Sequence, residues 1–67
     1  MGQEEIFKII SRVWPEYITY REILLKTGIS RNNLFKCLRK LQKRDEIEYI
    51  MVLTDNQLWI KKYREKR

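Results

Sequence analysis

Histidine is absent from this chain, which removes the commonest general base and the commonest imidazole metal ligand. Cysteine occurs once, at Cys37, so no internal disulfide can form and a reducing compartment fits. With no Cys or His neighbour, that thiol reads as a small core residue rather than a nucleophile. Gly2 and Gly28 are the only glycines, which leaves no glycine-rich loop to cradle phosphates. No apolar run is long enough for a transmembrane segment or a signal-peptide core. The acidic start MGQEE argues against a transit peptide, so the cytoplasm is the expected location. Glu4, Glu5, Glu46, Glu48 and Asp55 are scattered over helix start, strand and turn, with no pairing suited to acid–base work. The expectation is a protein that is not an enzyme and carries no cofactor and no metal.

What is present bounds the rest. A chain of 67 residues has room for one domain, 1–67, with one small core. Its hydrophobic content of 43% is ordinary for a globular domain and too high for a disordered tail. The formal charge of +6 should attract polyanions such as nucleic acid.

Periodicity gives three helices followed by a hairpin, an α+β fold that is mainly α. From Gln3 to Val13, Ile6, Ile9, Ile10 and Val13 recur at helical spacing, and Phe7 and Trp14 widen the stripe. Pro15 ends that helix, because the residue before a proline is pushed out of helical space. Tyr17-Ile18 reads as an extended connection or one short strand. Thr19 and Glu22 have capping-box spacing, and the helix they open stops at Gly28, a natural left-handed residue. Ser30 is a second N-cap; Leu34, Cys37, Leu38 and Leu41 carry the next helix to about Arg44. Asp45 then sits where such a helix often has glycine. Glu46 to Leu53 and Leu58 to Tyr63 read as strands around the polar turn Thr54-Asp55-Asn56-Gln57. With Asp55-Asn56 as a two-residue loop, Leu53 faces Leu58, Val52 faces Trp59 and Met51 faces Ile60. Ile47, Tyr49, Met51, Leu53, Leu58 and Ile60 are then buried. Ile50, Val52, Trp59, Lys61 and Tyr63 face outward. The basic tail 61–67 is expected to fray.

This order resembles the winged-helix (winged helix-turn-helix) family, and in particular the small bacterial and archaeal transcription regulators. The resemblance covers nearly the whole chain. Its strongest part is Ile18-Thr19-Tyr20-Arg21-Glu22-Ile23, then Thr27-Gly28-Ile29-Ser30, then Leu34, Leu38 and Leu41. It implies a positioning helix, a recognition helix over about 31–44 that enters the major groove of double-stranded DNA, and a hairpin wing. The turn at 54–57 lacks the Arg or Lys that many wings place in the minor groove.

The resemblance implies sequence-specific DNA binding and transcriptional regulation. Burial of Leu34, Leu38 and Leu41 turns Arg31, Asn32, Phe35, Lys36, Arg39 and Lys43 outward. Arg31, Asn32 and Lys36 then suit base edges, and Phe35 a thymine methyl, although Phe35 also reads as a satellite of the core. Arg21, Ser30, Asn33, Arg39, Lys40, Lys43, Arg44, Lys61 and Lys62 form the expected phosphate set. Two other functions share these residues: non-specific architectural DNA binding, and a protein-interaction module that uses Val52, Trp59 and Tyr63. A homodimer is expected, joined through the first helix or the outward hairpin face, since the chain lacks long extra helices. No small-molecule effector and no membrane partner is read from the residues.

Overall fold

The computed structural model describes residues 2–67. Helices α1 (Gln3–Arg12), α2 (Tyr20–Thr27) and α3 (Arg31–Lys43) join strands β1 (Ile18–Thr19), β2 (Ile47–Leu53) and β3 (Trp59–Glu65) in a small α+β domain. The strands form one antiparallel sheet in the order β1-β3-β2.

Each helix follows from its local chemistry. In α1, Ile6 and Ile10 are buried one turn apart, while Glu4 and Glu5 at its start and Arg12 at its end complement the helix dipole. The Thr19 hydroxyl caps α2 by accepting from the Glu22 amide at 3.2 Å. Glu22 answers differently from the usual box, its carboxylate accepting from the Thr19 hydroxyl at 3.2 Å. The helix ends on Gly28 at φ 71°, whose amide donates to Leu24 O. Ser30 caps α3 through the Asn33 amide at 3.2 Å. At its far end Asp45 adopts φ 62°, with Asp45 N donating to Gln42 O and Glu46 N to Leu41 O. That pair of bonds is a Schellman motif with aspartate in the glycine position.

The core lies where the helices meet the inner face of the sheet. Ile6, Ile10, Ile18, Ile23, Leu34, Leu38 and Leu41 are almost wholly buried, and Ile47 and Tyr63 close it from the strands. Burying each such side chain contributes about 1.5–3 kcal/mol. No polar or charged side chain among the described residues is buried with them.

The hairpin departs from the expected pairing. Thr54 N donates to Leu58 O at 2.8 Å and Gln57 N to Thr54 O at 2.9 Å, with Gln57 at φ 66°. The loop is therefore Asp55-Asn56-Gln57, a three-residue turn whose last residue is left-handed. One extra loop residue shifts the register by one, so Leu53 pairs with Trp59, Val52 with Ile60 and Tyr49 with Tyr63. A shift of one also exchanges the faces of one strand relative to the other. Tyr63, expected outward, enters the core with 4% of its surface exposed. Tyr49, Met51, Leu53 and Leu58, expected buried, are exposed.

Most of the tail expected to fray lies in a strand. β3 runs through Glu65, and Lys66 N donates to Glu46 O at 2.9 Å. Arg64 Nε donates to Glu48 Oε2 at 2.9 Å, and its guanidinium lies 4.5 Å from the centre of the Tyr17 ring. Lys66 reaches Asp45 at 2.7 Å, and Arg67 lies 4.1 Å over Trp14.

Candidate functional site

Stepping about 100° per residue around α3, with Leu34, Leu38 and Leu41 against the core, puts Asn32, Lys36, Arg39 and Lys43 along one outward stripe. All four are exposed, as are Arg31, Asn33, Lys40 and Arg44. From Arg31 to Lys43 the helix carries no acidic residue at all. Its cations therefore lack any neighbour within the helix to neutralise them, and their field adds along one edge. The Ser30 hydroxyl already accepts from the Asn33 amide, which caps the first turn of α3.

Arg31 and Phe35 lie on the flank of the stripe rather than at its crest. The Arg31 guanidinium stands 5.5 Å from the Tyr20 ring centre, and the Phe35 and Tyr20 rings are 5.4 Å apart. Phe35 is half-buried and packs against the core, in keeping with its reading as a satellite of the core rather than as a base reader. Arg21 is exposed on α2, where its Nε donates to the Tyr20 hydroxyl at 3.4 Å. That hydrogen bond, with the positive charges of Arg21 and Arg31, draws the Tyr20 phenol below its ordinary pKa. Tyr20 was not among the expected site residues; it entered only as part of the stretch 18–23 that opens α2.

Between α3 and β3 lies an open groove of about 390 Å³, lined by Phe35, Arg39, Gln42, Trp59 and Lys61, with Tyr20 at its edge. No carboxylate lines it. Trp59 is 63% exposed there. Lys61 and Lys62 part company: Lys61 shares the face of Trp59 and sits 4.6 Å over the Tyr49 ring. Lys62 is half-buried on the opposite face, between Thr19 and Ile50. Of the expected phosphate set, Lys61 is therefore beside α3 and Lys62 is not.

The expected protein-contact patch of Val52, Trp59 and Tyr63 does not form one surface. Val52 belongs to the face of Ile60, Trp59 to the face of Leu53, and Tyr63 is in the core. Burial pushes the Tyr63 phenol above its ordinary pKa, with Tyr49 beside it adding to the shift. The apolar surface that does form is Tyr49, Met51, Leu53 and Trp59, between 44% and 63% exposed.

No group of three or more metal-ligating side chains among the described residues is placed to hold an ion, and no helix among them is long and apolar enough to cross a membrane. Compared with protein-family models, with curated proteins and with solved structures, the chain matches none.

Proposed function

We propose that the chain is a winged-helix domain that binds double-stranded DNA sequence-specifically and regulates transcription. In this reading α3 enters the major groove and the β2–β3 hairpin is the wing. The observation that carries it is the exposed Asn32, Lys36, Arg39 and Lys43 stripe, on a helix without a single acid. Asn32 and Lys36 lie in its first two turns, where base edges are usually reached; asparagine suits adenine, and lysine offers a charge to guanine. Arg31 can swing from Tyr20 to a guanine or a phosphate close to the helix start. Arg39, Lys40, Lys43 and Arg44 follow the phosphates, joined by Arg21 and Lys61 from the neighbouring elements. The tip at 54–57 offers no cation, so the groove-facing side of the hairpin, through Lys61 and Trp59, takes the role of the wing.

The test is a fluorescence-anisotropy titration onto random duplex DNA at two salt concentrations, followed by site selection from a randomised pool. Salt-sensitive binding with one enriched motif is expected. On that motif Lys36→Ala should lose about 1–3 kcal/mol, and much less on random duplex. Equal weakening on both would reassign Lys36 to a phosphate. Salt-sensitive binding without enrichment would replace the reading by an architectural one, and no binding at low salt would discard DNA altogether.

A further inference from the structure

The two edges of the sheet are unlike. β1 is an edge of two residues, too short to template another chain. β2 is an edge of seven, Ile-Glu-Tyr-Ile-Met-Val-Leu, with no proline, no lysine and an unbroken ladder to β3. Those are the devices by which sheet proteins usually blunt an edge, and β2 has none of them. Its only charge, Glu48, is already held by Arg64.

Direction of the backbone groups follows from the turn. Thr54 N points to β3, so the groups of Val52, Ile50 and Glu48 do as well. The N–H and C=O groups of Ile47, Tyr49, Met51 and Leu53 therefore point away from β3, along the open side. The side chains of Tyr49, Met51 and Leu53 are themselves exposed, at 44%, 47% and 46%, as is Ile50 on the other face at 39%.

We propose that β2 pairs antiparallel with β2 of a second copy of this chain, making a continuous six-stranded sheet across a two-fold axis at Ile50. The second copy is the favoured occupant because the edge is complementary to itself in that register. Ile50 faces its own copy, Tyr49 faces Met51, Ile47 faces Leu53 and Glu48 faces Val52. Every outward backbone group then meets a partner, and no like charges are opposed. Residues opposite each other share a face, so Tyr49 and Met51 of both copies form two cross-strand apolar pairs. No lysine or arginine lies on β2, so two chains of charge +6 can meet here without opposing their cations. The inference does not depend on DNA binding and is tested without DNA.

Sedimentation equilibrium over a concentration series should give twice the 8.4 kDa chain mass. Hydrogen exchange should then slow at least about tenfold at Tyr49 and Met51 as dimer replaces monomer. Met51→Pro removes an outward N–H that makes no bond to β3, so the fold, checked by circular dichroism, should survive as a monomer. Ile50→Glu is the second variant. Within one chain it faces Lys62, which favours folding, but across the axis it opposes two carboxylates, so it too should be monomeric. A monomer at every concentration overturns the proposal. So does a dimer that survives Ile50→Glu, or one whose Tyr49 amide exchanges as fast as in the dilute monomer.

Discussion

Two side chains hold backbone that glycine holds more easily. Gln57 at φ 66° closes the hairpin loop, and Asp45 at φ 62° ends α3. A left-handed residue with a Cβ costs roughly 1–2 kcal/mol relative to the right-handed form. Gln57 makes no side-chain hydrogen bond that offsets this, so Gln57→Gly should raise stability by about 0.5–1 kcal/mol. Asp45→Gly should gain less, because Asp45 is half of the Lys66 pair at 2.7 Å. Gly28 is the reverse case: at φ 71° its added Cβ would touch nothing within 4 Å. Gly28→Ala should therefore cost about 1 kcal/mol through backbone strain alone. Urea unfolding of the three variants at one protein concentration checks the signs. A Gly28→Ala as stable as the parent would mean that the α2–α3 turn relaxes instead of holding its geometry.

The helices were legible because each advertises its ends. Thr19 and Ser30 mark boundaries by side-chain hydrogen bonds that reach three residues, Gly28 marks one by its left-handed backbone, and the isoleucine and leucine spacing marks the buried stripes. The hairpin was legible as an element but not in its register. Asp55-Asn56 invites a two-residue loop, whereas the third loop residue, Gln57, carries no sign of its left-handed backbone. The partners of the tail were hidden for another reason. Arg64 and Arg67 are tied to Tyr17 and Trp14, some fifty residues earlier, and no local pattern reports such partners. On α3 the exposed cations were legible from the leucine stripe, while the Tyr20–Phe35 contact that draws Phe35 inward belongs to the packing of two helices. The register itself can be checked by cross-linking in a Cys37→Ser background. Leu53 and Trp59 are opposed, so Leu53→Cys with Trp59→Cys should oxidise readily to an intramolecular disulfide. Leu53→Cys with Leu58→Cys should not, and the reverse result would restore the two-residue loop.

At the scale of the whole molecule, the charge of +6 is unevenly compensated. Arg64, Lys66 and Arg67 in the C-terminal segment have carboxylate partners, while α3 has cations and no acid. Folding concentrates those α3 charges on one surface, which opposes the compact state through self-repulsion. Added monovalent salt screens that repulsion over about 10 Å at 0.1 M, so the free protein should melt slightly higher as salt rises from a low starting value. A bound duplex should reverse the trend. If DNA binds only the folded chain, a hundredfold excess over the dissociation constant adds about 2.7 kcal/mol, or roughly 10–20 °C in a domain this small. Each phosphate neutralised then makes the affinity fall with a slope of about −0.9 against log salt. Melting curves with and without a random duplex, at one protein concentration, should therefore start far apart and converge as salt rises, one climbing and the other falling. Parallel curves would mean that the cations of α3 are a solvated face and nothing more. Convergence would mean that the same uncompensated charge which weakens the free fold is what duplex DNA neutralises.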